Sequence, residues 1–203
     1  VFREAIEKVN LVRPAFVLSV GDLIEGYTEN TDELNAQWGE IADMVSPLEM
    51  PFFYAAGNHD MSNAVMSHFW QERFGPSYYS FVYKDVLFVV LNSELFGMVS
   101  DPRRSVPGPE TQQGQMDWLQ DVLQTNLERR YTFVIVHQPL WDRGQPHRDW
   151  QKVEDWLLRS RRAGHEVFLD ERAVRVGLRH GRVLPVAAFV LELERREREV
   201  DVP

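Results

Sequence analysis

Three short apolar runs in this chain each end in a side chain able to bind a cation. Phe16-Val17-Leu18-Ser19-Val20 runs into Gly21-Asp22-Leu23-Ile24-Glu25, and Pro51 to Ala56 runs into Gly57-Asn58-His59-Asp60. Tyr131-Thr132-Phe133-Val134-Ile135-Val136 runs into His137-Gln138-Pro139. Runs of this length and composition read as buried strands. An Asn, a His and an Asp together on a turn end such a strand poorly but suit a metal or acid/base site. Open α/β sheets bind ligands beyond the carboxyl ends of their strands, so the three ends are expected to converge.

The text between these runs alternates in the same way. Helices are expected over residues 2 to 10, 32 to 45, 62 to 73 (with Ser62 as cap), 112 to 127 (with Thr111 as cap) and 149 to 160. Strands are expected over 78 to 83 and 86 to 91, joined through Lys84-Asp85 by a tight hairpin. Residues 98 to 110, with three prolines, read as a loop. The alternation predicts an α/β fold.

Charge and composition exclude several classes. With 203 residues and 44% apolar side chains the chain can bury a sizeable core as one domain. A net charge of −9 argues against a basic nucleic-acid-binding face. No apolar run is long enough to span a membrane. There are no cysteines, so any metal is held by oxygen and imidazole nitrogen. Compartment and oligomeric state are not legible.

GDxxE at Gly21 to Glu25, GNHD at Gly57 to Asp60 and the strand-His-x-Pro segment at His137, in that order, resemble the calcineurin-like metallophosphoesterases. That group includes purple acid phosphatases and many bacterial phosphodiesterases. Arg73 to Phe81, Val86 to Ser93, and Gln115-Met116-Asp117-Trp118-Leu119 resemble the connecting parts of the same family. The resemblance covers residues 1 to 158, and its fold would be a two-sheet αββα sandwich, incomplete here. It implies hydrolysis of phosphate mono- or diesters by metal-activated water with a histidine general acid. It also implies a phosphate ester as the partner of the site.

By the same resemblance Asp22 is a carboxylate that bridges two cations, and Asn58 and His137 bind one of them. Each has a plainer reading: Asp22 as a helix cap, Asn58 as an Asx-turn, His137 as an ordinary polar residue after a strand. His59 is implied as the residue that binds the phosphoryl oxygens and acts as general acid, work an imidazole can do near neutral pH. Glu25 is implied as the acidic residue that hydrogen-bonds and orients it, against the plainer reading of an exposed Glu in a first helical turn. Asp60 reads as a structural capper. Iron, manganese or zinc would fit such ligands.

Both ends depart from the family pattern. The family's opening DxH motif has no counterpart before Gly21, so the two-metal site is expected to be reduced to one metal, and the chain is expected to be truncated. The last motif, GHxH, is represented only by Gly164-His165, which lacks the second His. His165 is a fourth candidate ligand, set against a solvent-facing reading. From residue 159 to 203 the pattern dissolves into arginine-rich sequence, read as a lost frame or a recombined segment. Ordinary divergence is the alternative, with Val183 to Leu193 as an extra strand. Two rival functions remain: a non-catalytic remnant that binds one metal, and a plain α/β binding domain. His68, His147 and His180 are expected to be bland, and Trp118, Trp150 and Trp156 to pack in a core or interface.

Overall fold

A computed structural model describes residues 2–97, 110–138, 140, 149–162, 166–169 and 186–187. In chain order the elements are α1 (Phe2–Val12), β1 (Val17–Ser19), α2 (Thr31–Val45), β2 (Phe52–Phe53), α3 (Ala64–Phe74), β3 (Tyr79–Tyr83) and β4 (Val86–Leu91). There follow α4 (Glu94–Gly97), α5 (Gln112–Thr125), β5 (Tyr131–Val136), α6 (Trp150–Arg162), β6 (Glu166–Leu169) and β7 (Val186–Ala187). The strands form two sheets, ordered β2-β1-β7 and β3-β4-β5-β6. The α/β expectation holds, and among the described residues neither sheet closes into a barrel.

Burial explains the layering. Every residue of β4 is buried, as expected of a strand covered on both faces. Its even residues Val86, Phe88 and Val90 face the other sheet, where they meet Phe16, Leu18 and Ala55. Its odd residues Leu87, Val89 and Leu91 face α5 and α6 and join Leu119, Leu123, Trp150 and Val153. A third core lies behind the smaller sheet, where Leu34, Trp38 and Ile41 of α2 meet Met66 and Trp70 of α3. The result is helices, sheet, sheet, helices. Between the sheets Phe53, Phe81, Phe88 and Phe133 form a continuous stack, with centroid separations of 4.4, 4.9 and 5.4 Å. Phe16 meets four rings of this layer edge-on, at 5.1 to 5.7 Å. Such aromatic contacts add about 0.5–1.5 kcal/mol each beyond area burial.

Local chemistry sets the element ends. Asn30 caps α2 by accepting from the Asp32 and Glu33 amides, and Thr111 caps α5 through the Gly114 amide at 3.0 Å. The third helix starts later than expected: Asn63, in place of Ser62, is its cap and accepts from the Met66 amide at 3.0 Å. An amide oxygen reaches the first turn as well as a hydroxyl does, and the Ser62 hydroxyl turns to the Met66 sulfur. The hairpin at Lys84-Asp85 holds both residues at positive φ, 45° and 63°. That is the paired left-handed geometry of a two-residue turn joining twisted strands.

Described residues of the chain's later part join the sheets. The helix of α6 runs across residue 158 to Arg162. The strand β6, not anticipated from the sequence, pairs parallel to β5 with Glu166 opposite Tyr131. Within the stretch Val183 to Leu193, Val186 and Ala187 pair antiparallel to β1. Residues 98 to 109, His147, His165 and His180 lie outside the described residues. No helix among the described residues is long and apolar enough to cross a membrane.

Candidate metal centre

The strand ends converge because two glycines let their backbones touch. Gly21, at φ +96°, has the His137 Nδ1 atom 2.7 Å and the Gly57 backbone 2.8 Å from where a Cβ would stand. A Cβ on Gly57 would lie 2.4 Å from both the amide nitrogen and Oδ1 of Asp22. Any larger residue at either position would push the two turns apart.

Asp60 then fixes the turns from beneath. It is 1% exposed, and its Oδ2 accepts from the amides of Asp22 at 2.7 Å and Gly57 at 2.9 Å. Its Oδ1 accepts from Leu23 at 2.9 Å and Ile24 at 3.3 Å. One carboxylate thus satisfies four backbone donors on two turns, the capping role read from the sequence. These bonds also hold Asp22 at φ +57°, a left-handed conformation that Asp tolerates better than most residues.

Above this base three candidate ligands meet. His137 Nδ1 lies 2.7 Å from the carbonyl oxygen of Val20, so that nitrogen carries the proton and donates. Its Nε2 lies 3.2 Å from Asp22 Oδ1 and 3.1 Å from Asn58 Oδ1. A ring nitrogen whose partner nitrogen donates to a carbonyl is the tautomer that ligates metals. Two acceptor oxygens facing that nitrogen require a cation between them, which is either a proton on the ring or a metal. The donor set therefore fits an oxygen- and nitrogen-bound metal. Among the described residues, however, no three His, Cys, Asp or Glu side chains gather into a metal-binding group. The third position of this set is an amide.

His59 stands beside the set. Its amide donates to Asp22 Oδ1 at 3.0 Å, and its Nε2 lies 4.0 Å from Asp22 Oδ2. Its Nδ1 lies 2.8 Å from the main-chain carbonyl oxygen of Glu25. The bond seen here is to the backbone carbonyl of residue 25; the sequence reading assigned the carboxylate that role. Gly26 makes this approach possible: at φ +63°, a Cβ there would lie 1.7 Å from the His59 carbonyl oxygen. His165 lies outside the described residues.

Three contributors were not singled out in the sequence. The Tyr27 hydroxyl accepts from Asn58 Nδ2, and its ring packs edge-on against His59 at 4.6 Å. Gln138 Nε2 lies 3.2 Å from Asn58 Oδ1 and 2.9 Å from Glu94 Oε1. Glu94 had a signal, a charged residue three positions past the apolar run ending at Leu91. Tyr27 had none. His68 pairs on the surface with Glu72 at 3.2 Å, and Trp118, Trp150 and Trp156 pack in or against the core, as expected.

The charges are coupled. Burial works to raise the Asp22 pKa, but the bonds from His137 and the His59 amide outweigh it and hold the carboxyl below its ordinary value. Burial likewise works to lower His137, and the Asp22 carboxylate outweighs it and raises the ring. Burial pushes Asp60 up to about 6 against the pull of its amide donors.

A pH dependence of the metal-free protein follows. The stability contributed by Asp22 is present above the ordinary 3.8 and lost as pH falls through its lowered value. That from His137 is complete below 6.5 and lost as pH rises through its raised value. Asp60 acts in the same sense as His137, its contribution disappearing as pH rises through about 6. Thermal unfolding of metal-free protein is expected to show greatest stability near about pH 4, declining toward about 6 as Asp60 ionises and again above 6.5 as His137 loses its proton. Metal replaces the proton on His137, so the stabilisation by added metal is expected to grow over that same rise.

The family model described as calcineurin-like phosphoesterase matches residues 1–168, and the chain belongs to that family. Among its relatives, the serine/threonine-protein phosphatase CPPED1 of Pongo abelii is 31% identical over 149 residues, 68% of this chain and 44% of that protein. The 3',5'-cyclic adenosine monophosphate phosphodiesterase CpdA of Escherichia coli (strain K12) is 25% identical over 124 residues, 61% of this chain and 40% of that one. The chain spans less than half the length of these curated relatives. A dimetal phosphatase of known structure from Danio rerio shares the fold, with a TM-score of 0.58 and 15% identity. The match covers 78% of this chain and 67% of that one.

Proposed function

We propose that the protein containing this chain is a metal-dependent hydrolase of phosphate mono- or diesters, with Asp22, Asn58 and His137 as ligands and His59 as general acid. The observation that carries this reading is the His137 ring. Its Nδ1 is committed to Val20, and its Nε2 is aimed between two oxygens that only a cation can reconcile. A divalent cation in that place would activate water and offset charge on the phosphoryl group. The chain's own residues would do the rest. His59 stands with its side chain about one-third exposed beside Asp22, ring held by the Glu25 carbonyl and the Tyr27 edge. From there its Nε2 would give a proton to the departing oxygen. The relatives named as a protein phosphatase and a cyclic-nucleotide phosphodiesterase support a phosphate ester as substrate without choosing between the two esters.

The ligand set has only nitrogen and oxygen, which suits manganese, iron or zinc. The test uses chelated and dialysed protein, refilled with Mn²⁺ and given an aryl phosphodiester. Turnover that appears only with Mn²⁺ is expected. His59→Ala should lower kcat by about 10²–10⁴, the usual worth of a positioned general acid, and leave Mn²⁺ binding in place. Absence of Mn²⁺-dependent turnover would overturn the assignment. Mn²⁺ binding without turnover would instead favour the second reading, a non-catalytic metal-binding remnant.

A further inference from the structure

A buried carboxylate lies one side chain away from the proposed ligands. Glu94, 2% exposed, is the first residue of α4. Its Oε1 accepts from Gln138 Nε2 at 2.9 Å and from the Ser93 hydroxyl at 3.2 Å. The same Gln138 nitrogen lies 3.2 Å from Asn58 Oδ1. These contacts form a chain with a definite polarity. A carboxylate only accepts, so it selects the NH₂ end of Gln138; an NH₂ only donates, so it selects the oxygen end of Asn58. Tyr27 meets the other end of Asn58, but a hydroxyl both donates and accepts, and so cannot choose an amide's orientation.

We infer that Glu94 is a positioning residue for the metal centre, acting through Gln138 to turn the oxygen of the Asn58 amide toward His137 and Asp22. The inference rests on the proposal that Asn58 is a ligand through Oδ1. In the opposite orientation Asn58 would present N–H groups to the cation and lose its place in the ligand set. The arrangement also accounts for an acidic side chain kept in the interior, where burial of charge opposes folding.

The discriminating background is Asn58→Asp, because both ends of that side chain are oxygens and no orientation is left to set. Mn²⁺ is titrated into metal-free protein with free Mn²⁺ read by electron paramagnetic resonance. Glu94→Gln is expected to weaken Mn²⁺ binding about tenfold with Asn58 present, in the range for loss of an outer partner of a ligand. Its thermal stability should be held or raised, whereas a purely structural carboxylate would show a fall. In the Asn58→Asp background the same change should have no effect on Mn²⁺ affinity.

Equal losses in both backgrounds would mean that Glu94 acts by its charge, and would overturn the inference; so would no loss with Asn58 present. Gln138→Leu removes the intermediate donor and should repeat the pattern if Glu94→Gln does not fold. Asn58→Ala separates the two levels. If it leaves Mn²⁺ affinity unchanged, the ligand assignment has failed and takes the inference with it. If it lowers affinity while Glu94→Gln and Gln138→Leu do not, only the positioning role is overturned.

Discussion

Gly57→Ala is expected to cost about 3 kcal/mol or more of stability, the upper range for forcing an atom into packed structure, and to abolish metal binding with it. The added Cβ would fall 2.4 Å from the amide nitrogen and Oδ1 of Asp22, with Cγ at 3.1 Å. None of these atoms can step aside cheaply. The Asp22 nitrogen is tied to Asp60 at 2.7 Å, and Oδ1 is tied to the His59 amide at 3.0 Å. Relief therefore requires the two turns to separate, which breaks the Asp60 bonds and spreads Asp22 from Asn58. Gly39→Ala is the matching control. It lies within α2 with nothing inside 4 Å of the new Cβ, so it should add about 0.5–1 kcal/mol through helix propensity. Urea unfolding with and without Mn²⁺ checks both variants. A Gly57→Ala protein as stable and as tight for Mn²⁺ as the parent would contradict the close backbone contact.

The second large effect is expected from Asp22→Ala/His137→Ala. Removing two of three ligands should weaken Mn²⁺ binding by more than about 100-fold, beyond what loss of an outer partner alone costs. Turnover should vanish with it. The fold should survive, since the three cores draw on neither side chain. The coupled pair disappears in this variant, so its metal-free stability should lose the parts of the pH dependence due to Asp22 and His137 and keep that of Asp60. Metal content after dialysis and a thermal unfolding series read both effects. Unchanged metal content would remove these residues from the site.

Legibility in the sequence followed how local the cause of each feature is. The short apolar runs Val86 to Leu91 and Tyr131 to Val136 are strands because burial selects such runs, and both were readable. The helix α5, with its Thr111 cap, was readable because its signals are equally local. The start of α3 was not, because Ser62 and Asn63 are both good caps and only the fold decides which one bonds the Met66 amide. The strand Glu166–Leu169 follows directly on charged, helix-forming sequence, and its pairing with β5 is what makes it a strand. At the site, the GDxxE and GNHD turns announced themselves through residue types rarely placed at a buried strand end. The carbonyl of Glu25 beside His59 was not legible, because a motif identifies a residue and leaves open whether its side chain or its carbonyl does the bonding. Tyr27 and Gln138 matter only through where long side chains reach, which no spacing rule encodes.

The bond from His137 to Val20 joins the two sheets across 117 positions of sequence. A cation shared by Asp22, Asn58 and His137 would strengthen that bridge, and so would behave thermodynamically like a reversible cross-link closing a very long loop. Closure of long loops removes more freedom from the unfolded chain than closure of short ones, though only logarithmically. Metal supply would then set how independently the two halves of the sandwich open, making the ion a determinant of the molecule's cooperativity as well as of its chemistry.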